Sequence, residues 1–250
     1  TASGNSSAAS GILIDEATSL TNNVFYNNTG SSYSLYFNNN GGYDFTHNII
    51  ADGLTHFYEV EVKESFTNNV FGGGVAGRIK FENNNSDFSK NAILNGSGNT
   101  FRIYGGSDYE INQTVYFSKN LFSGNSSGYY VEHSNSGSGQ TYVETSLNNI
   151  INNDGFYIKA GSENSSVENN WWGTTTESEI QDLIYDWNDD ATLGFLDYNP
   201  WLTEPNTDAP ISPPKNVTKQ TSGNNVILTW DANPESDVIG YKVYYGSYSG

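Results

Sequence analysis

Residues 68–94 read NNVFGGGVAGRIKFENNNSDFSKNAIL, a stretch that opens and closes on the same phrase. The phrase is a polar residue and Asn, two mostly apolar residues, then a turn rich in Gly and Asn. Its seven copies are NNVF at Asn23, HNII at Asn48, NNVF at Asn69, KNAI at Asn91, KNLF at Asn120, NNII at Asn149 and NNWW at Asn170, spaced 21 to 29 residues apart. That period belongs to a solenoid, in which each repeat buries its apolar face only against its neighbours.

Between the phrases lie runs that alternate apolar and polar: GILID at 11–15, SLYFN at 34–38, YEVEVK at 58–63, GRIKFE at 77–82, FRIY at 101–104, YYVEH at 129–133 and FYIKA at 156–160. Alternation of period two marks strands with one buried face. Coils of two or three such strands, stacked about 4.8 Å apart, give parallel sheets hydrogen-bonded from coil to coil. Asn suits the bend, because it tolerates left-handed backbone, bonds neighbouring backbone groups and can bond its own copies along a stack. One residue of the pair that follows it is expected to face inward.

Composition agrees with a thin core. Apolar residues are 35% of the 250-residue chain and the net charge is −18, yet aromatic residues reach 14% and are placed periodically, unlike a disordered chain. Ten Lys and Arg against 28 Asp and Glu argue against nucleic acid and against an anionic membrane surface. No apolar run is long enough to span a bilayer, so no direct membrane insertion is expected. There is no Cys, which excludes disulfides, thiol nucleophiles and thiolate metal sites, and no Met even at position 1, which suggests a processed or excised chain. Eight Asn-x-Ser/Thr sequons, at Asn5, Asn27, Asn84, Asn95, Asn112, Asn125, Asn164 and Asn216, are about what so Asn-rich a composition yields by chance.

The repeat pattern resembles the right-handed parallel β-helix family of pectate-lyase-like and surface proteins. Its most specific element is the closing stretch NNWWGTTTESEIQDLIYDWNDDATLGFLDYNPWL, residues 169–202, which is similar to the terminal segment of many β-helix proteins. Residues 1–202 are thus expected to form an all-β, right-handed parallel β-helix of about seven coils, with 169–202 as a cap over the open sheet edge. Thr176 and Glu179 fit a capping box, Glu177, Glu179 and Asp182 fit a first helical turn, and Ile180, Leu183, Ile184 and Trp187 share one helical face. Trp171, Trp172 and Trp201 are read as cap packing. Residues 203–213 form a Pro-rich linker, and 214–250 resemble the first half of a fibronectin type III sandwich, with VILTW and IGYKVYYG as strands and Trp230 in the core.

Taking Ile14, Leu35, Val60, Ile79, Ile103, Val131 and Ile158 as inward, the other face of these strands collects Tyr36, Glu59, Glu61, Lys63, Arg78, Lys80, Glu82, Arg102, Tyr104, Tyr130, Glu132, Tyr157 and Lys159. Five of the seven Lys and Arg before the linker fall there; Lys90 and Lys119, each preceding an anchor Asn, do not. Such a row resembles the face on which carbohydrate-active β-helix proteins bind extended polysaccharide: Tyr rings offer apolar surfaces and Arg can bind a uronate or sulfate bidentately. An ion-pair ladder of Glu59 and Glu61 against Arg78 and Lys80 accounts for the same residues.

For an enzyme the pattern is thin. GRIK at 77–80 is similar to the RIK of polygalacturonases, but that family's NTD, DD and GHG motifs are missing. No GxSxG is present, and His47, His56 and His133 form no catalytic pattern. No cofactor is implied, although DWNDD at 186–190 and NNDG at 152–155 could hold calcium. The expected role is a non-catalytic carbohydrate-binding or adhesive module of a secreted or cell-surface protein, with a polysaccharide or surface glycan as partner. A polysaccharide lyase or glycoside hydrolase, and a structural stalk associating end to end, are the alternatives.

Overall fold

A computed structural model describes residues 2–3, 6–7, 10–14, 19–26, 28–30, 33–37, 42–51, 53–81, 87–96, 101–105, 113–126, 129–131, 141–154, 158–233 and 235–243. It is all-β, a parallel β-solenoid of about four turns with almost no helix. Three strand columns run along the winding. The first contains Tyr33–Phe37, Val75–Phe81, Phe101–Gly105, Tyr129–Val131 and Ile158–Ala160; the second contains Gly42–Thr46, Asp87–Ser89, Gln113–Ser118 and Thr141–Ser146. The strand Thr55–Thr67 runs through both, joining them in one parallel sheet. The third column is a separate seven-stranded sheet that includes Val70–Phe71, Ala92–Leu94, Leu121–Ser123 and Asn149–Ile151.

In-register stacking puts like residues on like. Phe45, Phe66, Phe88 and Phe117 occupy one inward column of the second face, with ring centroids 5.0, 4.7 and 4.7 Å apart. These separations match the coil spacing, so each ring stacks on the next, at about 0.5–1.5 kcal/mol per pair beyond its burial. Phe25, Ile50, Phe71, Ile93, Phe122 and Ile150 fill the corresponding column of the third face. A core one or two side chains thick is all this composition can fill, and the winding requires no more.

The Asn phrase explains the corner. Asn23, Asn48, Asn69, Asn91, Asn120, Asn148 and Asn170 form a continuous ladder in which each Nδ2 donates to the next Oδ1, at 2.9–3.1 Å. Each Oδ1 also accepts the backbone N–H of the preceding Asn. The second Nδ2 proton of Asn69 goes to Phe45 O one coil back, and that of Asn91 to Phe66 O. A carboxamide does all this because it carries two donors and two acceptor lone pairs on one short stem.

Two details differ from the sequence reading. The left-handed residue is not the ladder Asn but the one before it: His47, Asn68, Lys90, Lys119, Leu147 and Asn169 all have φ between 56° and 60°. The sixth anchor is Asn148 rather than Asn149, because the ladder and the pairing of Asn149 with Leu121 fix the register one residue earlier. A shorter second ladder joins Asn125 to Asn153 at another corner. The Asn125 sequon is therefore buried and committed to structure.

The cap is less helical than expected. Only Glu177–Gln181 is α-helical; Thr176 makes no side-chain cap, and Thr174 Oγ1 instead accepts the Thr176 N–H at 3.0 Å and bonds the Glu179 carboxylate. Asp182 stands at the C-terminal end of this helix, not in its first turn. Ile184–Tyr185 is a strand that continues the first column beside Ile158 and Lys159, and Leu196–Asp197 pairs Ser165–Ser166. The stretch thus closes the solenoid by adding partial rungs, with Ile180, Ile184, Leu196 and Trp172 in the core. Trp201 packs against that core, whereas Trp187 is turned out to solvent.

Residues 203–213, read as a Pro-rich linker, lie along the third sheet. Asn206 exchanges bonds with Asn149, and its Nδ2 donates to Leu147 O at 2.6 Å. Asp208 pairs with Lys119 at 3.2 Å, and Ala209 is buried. The physical reason is that this sheet is apolar on its outer side too: Ala92, Leu94, Leu121 and Ile151 form a second buried cluster. Beyond the strap, the described residues of the expected fibronectin-like half form one antiparallel hairpin, Thr218–Ser222 with Asn225–Thr229. Val226, Ile227 and Leu228 are exposed, and residues 239–243 form no strand. Two or three short strands cannot enclose a core.

Candidate functional site

The predicted site lies on the first face, whose parity is set by buried Leu35, Thr55, Phe57, Ile158 and Ala160. Tyr36, beside buried Leu35, and Lys159, between buried Ile158 and Ala160, are partly exposed. Register then defines the columns. Arg78, Arg102, Tyr130, Lys159 and Tyr185 are consecutive partners across five strands. Glu61, Lys80 and Tyr104 form the adjacent column. Neighbours in a column are about 4.8 Å apart.

This register corrects the sequence alignment at both ends. Val131 pairs with Ala160, not with Ile158, so Lys159 moves by two residues into the column of the two arginines. Leu35 pairs with Thr55 rather than Val60, which puts Tyr36 opposite His56, away from the charged columns. A bulge between Phe57 and Val60 sets Tyr58 and Glu59 together opposite Arg78. Lys63 follows on the same strand, and Glu82, Glu132 and Tyr157 lie outside the described residues.

Two contacts on this face are resolved at the side-chain level. Lys159 Nζ lies 5.0 Å from the Tyr185 ring centroid, a cation–π contact. Tyr36 and His56 stack with centroids 5.1 Å apart. Burial of the His56 imidazole disfavours its charged form and lowers its pKa below the ordinary 6.5.

In DWNDD at 186–190, one of the two candidate calcium segments, two aspartate carboxylates bond nearby residues. The buried Asp186 carboxylate accepts from the Asn188 and Leu196 N–H groups and from Asn188 Nδ2. Asp190 accepts from Thr192 N–H and Oγ1, which holds its carboxyl below the usual carboxylate range. Asp154 donates its N–H to Asn125 O as part of a corner. Among the described residues no three carboxylate or imidazole groups converge on a metal position.

Sequence reasoning passed over Lys90 and Lys119 as exceptions. Both flank the strap, Lys119 through Asp208 and Lys90 beside a small cavity with Asp208, Ala209 and Pro210. The available signal was the apolar pair after the anchor Asn, as in Ala92–Ile93 and Leu121–Phe122, which implies burial on both faces. A cleft of about 690 Å³ lies elsewhere again, beside Glu144, Phe195 and Asp197, and none of the predicted site residues lines it.

The chain is a parallel β-solenoid in which Arg78, Arg102, Tyr130, Lys159 and Tyr185 share one backbone register. Comparison with protein-family models, curated proteins and solved structures finds no match to this chain.

Proposed function

We propose that this chain is a non-catalytic, carbohydrate-binding or adhesive β-helix module of a secreted or cell-surface protein, and that its first face takes an acidic polysaccharide. The supporting observation is the shared register of Arg78, Arg102, Tyr130 and Lys159 in a chain that is otherwise strongly acidic. Cations repeated at the coil spacing meet a polymer whose carboxylates or sulfates also repeat, and the interleaved Tyr rings cover its apolar faces. In this reading the seven Asn phrases are seven rungs of one winding. The exposed apolar hairpin near the C-terminus begins a fibronectin III-like spacer.

A glycan array presenting uronate, sulfated and neutral polymers tests the proposal. Retention of acidic glycans that falls about tenfold for Arg102→Ala and again for Tyr104→Ala supports it. Indifference of every acidic glycan to both substitutions refutes it.

One observation favours a second reading. Glu61 stands opposite Lys80, and Lys159 already meets Tyr185, so the columns can satisfy themselves as a structural ladder. A stalk of that kind would polymerise without retaining any glycan. A lyase or hydrolase would instead release product, with loss on Lys80→Ala.

A further inference from the structure

Pairing of the second column is interrupted near the cap. The continuous sheet ends at Thr141–Ser146, and the next strand, Ser165–Ser166, pairs only with Leu196–Asp197. Where the hydrogen-bonded sheet stops, its last strand and the next rung part, and the cleft of about 690 Å³ opens between them. Its size falls within the range of small-ligand sites.

The lining has a distinct chemistry. Val143 and Leu196 form an apolar floor, and Glu144 and Asp197 bring exposed carboxylates. Thr114 adds a hydroxyl, and no Lys or Arg is among the described residues that line the cleft. At its rim Phe195 is 43% exposed and lies 4.9 Å, centroid to centroid, from Trp187, itself 46% exposed. Tyr116, 39% exposed, is the register partner of Glu144. The Trp187 side chain, expected to pack under the cap, instead adds apolar surface to water beside a concave, mainly apolar site that carries two carboxylates at its edge.

We infer that this cleft binds an uncharged, hydroxyl-rich ligand, a neutral oligosaccharide, with Trp187 and Phe195 as the stacking platform and Glu144 and Asp197 accepting its hydroxyl hydrogens. Aromatic rings cover the C–H faces of a sugar, carboxylates take its hydroxyls, and the paired negative charge repels uronates and sulfates. The site is independent of the cation column on the first face and takes uncharged rather than acidic glycans.

The whole chain is titrated with neutral gluco-, manno- and xylo-oligosaccharides, a uronate oligomer and a glucosamine oligomer, read by calorimetry and tryptophan fluorescence. The inference expects saturable binding of at least one neutral oligosaccharide with a blue shift, as Trp187 leaves water. Affinity should fall about tenfold or more for Trp187→Ala and for Phe195→Ala, stay within about threefold for Trp187→Phe, and be unchanged by Arg102→Ala. Unchanged circular dichroism and melting temperature show that the alanine variants fold. Silence of every neutral oligosaccharide overturns the inference. Binding that survives Trp187→Ala and Phe195→Ala together, or binding confined to the uronate or to the glucosamine oligomer, also overturns it. Loss of acidic-glycan retention in Arg102→Ala bears only on the first face.

Discussion

Replacing Asn91 by Ala tests the ladder where it is fully buried. Four hydrogen bonds disappear: Nδ2 to Asn120 Oδ1 at 3.1 Å, Nδ2 to Phe66 O at 2.9 Å, and Oδ1 from Asn69 N and Nδ2 at 3.0 and 2.9 Å. The count matters less than what is stranded. Asn120 Oδ1 keeps the Asn91 N–H, but the Asn69 N–H and one Asn69 amide proton lose their acceptor in a buried corner. At roughly 1–3 kcal/mol for each stranded group, the cost is about 4 kcal/mol. That is a large part of a domain's usual 5–15 kcal/mol and lowers the melting temperature by about 10 °C. Urea and thermal unfolding measure it, with Asn23→Ala as internal comparison. Asn23 is half-buried at the end of the row, accepts from no Asn above it, and should cost about 1 kcal/mol. A loss below about 1 kcal/mol for Asn91→Ala, or equal losses at the two positions, refutes the argument that the ladder is cooperative and buried.

The strap is held by amide bonds more than by charge: Asn149→Ala, which removes two of the three bonds that hold Asn206, should cost about 2 kcal/mol, whereas Lys119→Ala should cost about 0.5 kcal/mol or less because Asp208 is well exposed. Proteolysis within residues 203–213, compared between the two variants, checks the order. For His56 the sign follows from its lowered pKa: the unfolded chain binds the proton more readily, so this contribution is complete above about pH 6.5 and declines as pH falls toward the folded value. His56→Phe, which retains a ring against Tyr36, should flatten stability between pH 7 and 5, and an unchanged slope contradicts the assignment.

What was legible from residues alone was whatever repeats. A phrase recurring every 21–29 residues and runs of period two are enough for stacked parallel strands, and they identified six of the seven ladder Asn residues. They also identified Arg78 with Arg102 and Lys80 with Tyr104 as neighbours, because equal spacing between similar strands leaves the register little choice. Register failed where the repeat itself is irregular. At SLNNII, Asn148 and Asn149 are adjacent and the local pattern fits either as anchor; the ladder bonds to Asn120 and Asn170 and the pairing of Asn149 with Leu121 distinguish them. Ile158 and Ala160 are both inward residues, and either can stand opposite Val131 until the strands pair.

The rest was decided by surfaces that no local pattern describes. Residues 203–213 have the composition of a linker, yet the outer side of Ala92, Leu94, Leu121 and Ile151 must be covered, and the strap is the segment in reach. Apolar residues in the cap suggested one helical face, but Ile184 completes a strand against Ile158 and Trp187 is left in water. Sequence determines the winding, because each coil repeats the same short-range rules. Tertiary structure decides which of two equivalent neighbours pair, what covers an apolar exterior and where the sheet breaks to leave a cleft, because those depend on contacts between residues far apart in the chain.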